Sequence, residues 1–166
     1  PFFGGAGPRR RGCTDCGGCM VGCRVGAKHS LDRNYLYLAE RLGARIVPET
    51  AVELVEPLPR GGYRVRWRRS TDRVVAERGA YTASKVVVAG GVLGTTSLLL
   101  DCKRRGALPL LSDQLGNYVR TNSEAFTAIV QPDDSVDSTA DGATISSDFH
   151  PDSTTHVTQN RFPASY

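Results

Sequence analysis

The sequence predicts an α/β fold with an antiparallel meander set inside it. Three observations lead there. Lys85-Val-Val-Val-Ala89 is a continuous β-branched run of the kind buried on both faces in parallel sheets, and it passes through glycines into a helical stretch. Tyr63-Arg-Val-Arg-Trp-Arg68 alternates apolar and basic residues, the period of a half-buried strand. Ahead of both, Leu31, Tyr35, Leu38 and Leu42 recur at helical spacing.

The elements follow in order. Residues 1–28 are rich in Gly, Pro and Cys with little periodicity, so they read as an ordered loop held by side chains. Ser30 can cap a helix over Leu31 to Leu42, and Gly43 can end it. Ala44 to Glu49 reads as a short strand, and Ala51 to Glu56 as another. Pro57 to Gly62 is turn chemistry leading into the Tyr63–Arg68 strand. Val74 to Ala80 is expected to pair with that strand, completing a meander over residues 51–80. Gly90-Gly-Val-Leu-Gly94 follows the β-branched run at once, and Thr95 to Arg105 reads as a helix. Pro109 to Asn122 is mostly loop, Glu124 to Val130 is a strand candidate, and a further one lies near Ser153 to Val157.

With 166 residues the chain can form a domain with a sizeable core, and 40% hydrophobic with 23% charged residues is ordinary for a globular protein. No run of about 18 apolar residues is present, so no membrane-spanning helix is expected. The opening Pro1-Phe2-Phe3 lacks a methionine and a signal-peptide pattern, so a processed or excised piece is expected. Cysteine usage leans towards a reduced setting, and a cytoplasmic location is the expectation.

The net charge of +4 is uneven. Arg60 to Arg78 carries seven arginines, whereas Pro132 to Pro151 carries five aspartates and no lysine or arginine. One reading of the arginine run is a basic nucleic-acid-binding domain. The other is a solvated sheet face, favoured because no recognisable binding module accompanies the charge, and no nucleic-acid partner is expected.

Cys13, Cys16, Cys19 and Cys23 form a C-x2-C-x2-C-x3-C run. That spacing fits the ferredoxin pattern, in which thiolates on one tight loop hold a [4Fe–4S] cluster, and would make the chain an electron-transfer module. Two features pull against it: Arg24 stands where ferredoxins place proline, and no second cysteine set is present. Zinc is possible, though its cysteine ligands usually come as separated pairs. A glycine-rich loop with small buried cysteines is the reading without a metal. Cys102, on the expected helix, reads as a small buried hydrophobe.

The strand–glycine–helix passage over Lys85 to Thr96 would let backbone N–H groups approach a ligand at a helix N-terminus. It is not a G-x-G-x-x-G fingerprint, and tight packing alone also calls for glycine there.

Gly12-Cys-Thr-Asp-Cys-Gly-Gly-Cys-Met-Val-Gly-Cys-Arg-Val-Gly-Ala-Lys-His-Ser-Leu-Asp-Arg-Asn-Tyr-Leu36 resembles the cysteine–glycine segment of bacterial GMC flavoprotein oxidoreductases, in their cholesterol-oxidase-like branch. Val86-Val-Val-Ala-Gly-Gly-Val-Leu-Gly-Thr-Thr-Ser-Leu-Leu-Leu100 resembles the second flavin-domain signature of the same family. Ser146 to Asp152 and Thr155-His-Val157 also look like the branch.

The resemblance implies a partial FAD-binding, doubly wound (Rossmann-like) domain over residues 1–121. It also implies the start of a substrate-binding domain and its sheet over residues 122–166. It implies FAD as cofactor, hydride transfer from a small-molecule alcohol, sterol-like or otherwise bulky, and reoxidation by O2 or another acceptor. Val52 would lie on the strand whose backbone meets the adenine ring. Ala89, Gly90, Gly91 and Gly94 would form the turn against the adenosine part, where a side chain would hold the backbone away. Asn122 falls where a flavin-side loop is expected, and His156 near the substrate-side strand, as a pocket residue. The cysteine loop would be chiefly structural. No catalytic residue is assigned: the family's histidine and asparagine lie outside this chain, as does its G-x-G-x-x-G strand. Val157-Thr-Gln-Asn-Arg161 also departs from the expected run after His156. The piece alone is therefore expected neither to bind FAD tightly nor to turn over.

Overall fold

A computed structural model describes residues 2–72, 74–121, 124–127 and 144–160. They fall in two compact units, Val47–Thr127 and the pair of segments Pro1–Ile46 and Ala128–Tyr166.

The unit Val47–Thr127 is a three-stranded antiparallel meander with a helix on its edge. Strands β1 (Thr50–Pro57), β2 (Tyr63–Arg69) and β3 (Arg78–Ala83) pair in that order. The expected turn after β1 closes through Leu58 N–H to Gly62 O at 2.9 Å and Gly61 N–H to Leu58 O at 3.0 Å. Gly61 and Gly62 both sit at positive φ, +92° and +80°, where a side chain would be strained.

The third strand begins later than the sequence suggested. Val74 and Val75 lie in the β2–β3 connection, 95% and 84% exposed. Asp72 accepts the Glu77 N–H there at 2.9 Å. The register explains the shift: Trp67 pairs with Gly79. A Cβ at Gly79 would stand 2.5 Å from the indole, so only glycine fits opposite that ring.

A bulge interrupts β1. Val52 pairs with Trp67 and Leu54 with Arg66, leaving Glu53 without a partner across the ladder. Beyond it, Leu54 and Val55 are both buried. They are joined by Cys102 of α2 (Gly91–Arg104), fully buried as expected, to make the core. Tyr63, Val65, Val86, Leu98, Ala107 and Leu108 pack around these three.

Two strand expectations fail here. Ala44 to Glu49 forms no strand; Pro48 offers no N–H to a ladder and Glu49 sits at φ +53°, which breaks an extended run. Lys85 to Ala89 is not laddered either, and Val87 is 88% exposed. A strand buried on both faces needs neighbours, and among the described residues the strand pairs are all antiparallel and exclude it. Helix α2 starts at Gly91 rather than Thr95, with Gly90 at its N-cap.

In the unit of Pro1–Ile46 and Ala128–Tyr166, the helix expected from Leu31 is split. Leu31–Arg33 is a 3-10 turn and α1 runs Tyr35–Arg41. Asn34, not Ser30, caps α1: its side chain accepts the Tyr35 N–H, and its backbone leaves the helical region at φ −135°, ψ −103°. Gly43, at φ +96°, stops the helix as expected. Strands β4 (Ile145–Phe149) and β5 (Val157–Asn160) pair antiparallel. Ser153 to His156 belongs to their connection, where Asp152 accepts the Thr154 N–H and hydroxyl, both at 2.8 Å. The expected strand therefore starts at Val157. Residues 124–127 are irregular, and the rest of the strand candidate at Glu124 to Val130 lies outside the described residues. No described helix is long and apolar enough to cross a membrane.

Candidate cofactor-binding site

The glycine turn at the start of α2 is the feature that can receive a ligand. Gly90 donates its N–H to Thr95 Oγ1 at 3.0 Å, which folds the turn back on the first helical residues. Gly91 enters the helix at φ +71°, a conformation that favours glycine. No side chain caps this terminus, and no acidic residue stands in its first turn. The helix dipole there is therefore uncompensated and suited to an electron-rich group.

The local space is also suited. A Cβ at Gly91 or Gly94 would meet nothing within 4 Å, so the backbone is open to close approach. A Cβ at Gly90 would stand 3.4 Å from the Thr95 nitrogen. Ala89, Val92 and Leu93 are exposed beside it. Open glycines at a helix N-terminus with an apolar flank fit the adenosine part of a dinucleotide. The sequence holds no G-x-G-x-x-G to take its pyrophosphate.

Val52, the other expected cofactor contact, lies in the same unit on β1, next to the bulge and 42% exposed. Helix α2 is docked on this strand by its C-terminal half, through Cys102 and Arg105. Asn122 lies outside the described residues. His156, in the other unit, is exposed just before β5, its ring 5.7 Å from that of His150. His150 in turn faces Asp148 at 3.2 Å.

The four cysteines of the loop are free thiols in unequal surroundings. Cys13 and Cys16 are exposed, whereas Cys19 and Cys23 are partly buried. Cys23 Sγ accepts the N–H groups of Ala27 at 3.2 Å and Lys28 at 3.4 Å. The Lys28 and Ala27 N–H groups hold its thiol below the usual range, with Val25 and Gly26 adding to them. Cys19 is also lowered, first by the Thr144 N–H, then by the Thr144 hydroxyl, with the Lys28 charge assisting. Among the described residues, no three His, Cys, Asp or Glu side chains are grouped so as to hold a metal ion.

Sequence reasoning missed Thr144. It is 2% exposed and donates its hydroxyl to Gly17 O at 2.6 Å, tying the cysteine loop to a residue 127 positions away. No local pattern around Thr144 signals that partner. The arginine run is a paired sheet face: Glu56 bridges Arg64 at 3.2 Å and Arg66 at 2.9 Å, and Glu53 bridges Arg68 at 3.2 Å and Arg78 at 3.6 Å.

Known proteins resemble this chain over nearly its whole length. The family model described as GMC oxidoreductase matches residues 8–102. A protein named cholesterol oxidase from Mycobacterium tuberculosis is 45% identical over 166 residues, covering 98% of this chain and 28% of the relative. One of the same name from Acinetobacter baumannii is 40% identical over 167 residues, covering 98% of this chain and 30% of the relative. The chain thus spans less than a third of the curated relatives it matches. No solved structure matches it.

Proposed function

Because the chain belongs to the GMC oxidoreductase family, we propose that it forms part of an FAD-dependent enzyme that oxidises an alcohol by hydride transfer. The observation that carries the site is the open turn at Gly90, Gly91 and Gly94, where added side-chain atoms at two of the three glycines would meet only free space. Ala89, Gly90, Gly91 and Gly94 hold the adenosine part of FAD against the N-terminus of α2, and the backbone at Val52 meets the adenine ring. Asn122 belongs to the flavin side and His156 to the substrate side.

FAD, when bound, supplies the hydride acceptor. This chain's part is positioning. Glycines let the backbone approach a flat group, and the helix N-terminus favours electron-rich atoms. The Cys102 and Arg105 contacts fix α2 on β1. The substrate is an alcohol, with a bulky apolar, sterol-like one favoured by the names of the relatives, and O2 is the expected reoxidant. Residues 1–121 are the middle of the FAD-binding domain and 122–166 the start of the substrate domain. The location is cytoplasmic.

The test is an anaerobic visible absorption spectrum, with iron analysis, of the protein expressed from its complete reading frame. Two resolved flavin bands without iron are expected. A broad shoulder with about four irons per chain would move the chemistry to the cysteine run.

A further inference from the structure

The cysteine loop is built unevenly, and the unevenness has chemical content. A cluster site would treat its thiols alike; here Cys19 and Cys23 differ from the other two. The segment Cys23 to Lys28 curls back on the Cys23 sulfur. Gly26 N–H bonds Cys23 O at 3.2 Å with Gly26 at φ +71°, and this delivers the Ala27 and Lys28 N–H groups to Sγ. Consecutive N–H groups converging on one atom form an anion-holding concavity. Lys28 adds its charge from the same turn, with Nζ on the Cys19 carbonyl at 3.1 Å.

Cys19 is the neighbour. Its sulfur receives hydrogen bonds from Thr144, and the Cys23 sulfur stands near enough for its charge to act on Cys19. Cys13, by contrast, takes the single N–H of Asp15 at 3.3 Å and is exposed. One sulfur held by backbone donors, with a second free thiol beside it and both partly accessible, is the layout of an attacking and a resolving cysteine.

We propose that Cys19 and Cys23 form a peroxide-reactive dithiol, with Cys23 as the attacking sulfur and Cys19 as the resolving one. The oxidant is hydrogen peroxide. The Cys23 thiolate attacks one peroxide oxygen, the O–O bond breaks, and hydroxide leaves to become water, giving a sulfenic acid on Cys23. The Cys19 thiolate then attacks the Cys23 sulfur, the S–O bond breaks, and hydroxide again leaves as water. Two thiols lose two electrons and one peroxide becomes two waters. Thiol chemistry at this pair requires no bound flavin.

The experiment uses the folded protein from its complete reading frame, treated with hydrogen peroxide, blocked with an alkylating agent and mapped by peptide mass spectrometry. All four loop cysteines lie between Arg11 and Arg24, so one tryptic peptide compares them internally and fragmentation assigns the link. A Cys19–Cys23 disulfide is expected, with Cys13 and Cys16 alkylated in the same peptide. In the reduced protein, Cys23 should be alkylated several-fold faster than Cys13 and Cys16. Cys19→Ser should halt the reaction at a sulfenic acid on Cys23 that dimedone traps. Equal labelling of all four thiols, or a disulfide that uses Cys13 or Cys16, overturns the proposal. The wild-type measurement decides it even if the variant does not fold, and the flavin spectrum is read separately.

Discussion

The Cys102 sulfur accepts the backbone N–H of Val55 at 3.3 Å, so a thiol on α2 closes the free edge of β1. An edge strand exposes N–H and C=O groups that invite pairing with another chain, and covering them with a helix is one remedy. Two groups of that edge are met by α2 and the residue after it, because Arg105 also donates to the Glu53 carbonyl at 3.3 Å. Cys102 is 0% exposed, so the same side chain fills the small core. Cys102→Ala removes the acceptor and leaves a buried N–H unpaired, at a cost of about 1–3 kcal/mol. The denaturant midpoint should fall with an unchanged slope. A change within about 0.5 kcal/mol would mean that the edge is held by other contacts.

Gly79 lies flat against Trp67, whose ring also stacks on Tyr81 at 5.9 Å. A Cβ at 2.5 Å from the indole forces either the ring or β3 to move. Gly79→Ala should therefore destabilise by about 1–3 kcal/mol, the usual cost of overpacking. In a Trp67→Leu background the same change should cost much less, because the obstructing ring is gone. Additive losses in that double-mutant cycle would show that the contact does not set the register.

Glu56 carries a pH signature. The Arg66 hydrogen bond, then its charge, and then Arg64 hold the Glu56 carboxyl below the usual range. A depressed carboxylate contributes stability that is fully present above its unfolded pKa of about 4.3 and is lost as pH falls through the lower folded value. Both arginines are about half exposed, 45% and 52%, so screening limits the effect. Glu56→Gln should lower stability at pH 7 by under about 1 kcal/mol and flatten the acid limb of the stability profile. Added salt should shrink the difference. A wild-type and variant pair with parallel profiles below pH 5 would count against the pairing.

Local chemistry was legible in the sequence, and long-range partners were not. The alternation of Tyr63 to Arg68 and the Pro57–Gly62 turn gave the first hairpin, because both are decided within a few residues. The start of β3 was misread because a Val-Val pair carries strand propensity at positions 74 and 75, while the register is set by what Trp67 can tolerate opposite it. Lys85 to Ala89 reads as a buried strand by composition, yet composition cannot supply the neighbouring strands that would ladder it. Asn34 displaced Ser30 as the α1 cap through one side-chain hydrogen bond. For the candidate site, the glycines were visible as residues, but the open space around Gly91 and Gly94 comes from the path of the turn. The Thr144 anchor spans 127 positions and leaves no local trace.

The sharpest test of the cofactor site separates fold from function at Gly94. It lies in the first turn of α2, a Cβ there meets nothing within 4 Å, and its φ is not in the left-handed region. Gly94→Leu therefore places bulk in free space, and leucine favours a helix over glycine by roughly 0.8–1 kcal/mol. Without cofactor the variant should be as stable as the wild type, or more so. If the turn lies against FAD, the leucine side chain occupies the approach and flavin content after purification should drop several-fold, with a matching loss of flavin absorbance on titration. Gly91→Val is a weaker probe, because at φ +71° the substitution strains the backbone whatever binds there. Unchanged flavin stoichiometry in a stable Gly94→Leu protein would remove this turn from the cofactor site and leave its glycines to the folding of the helix start.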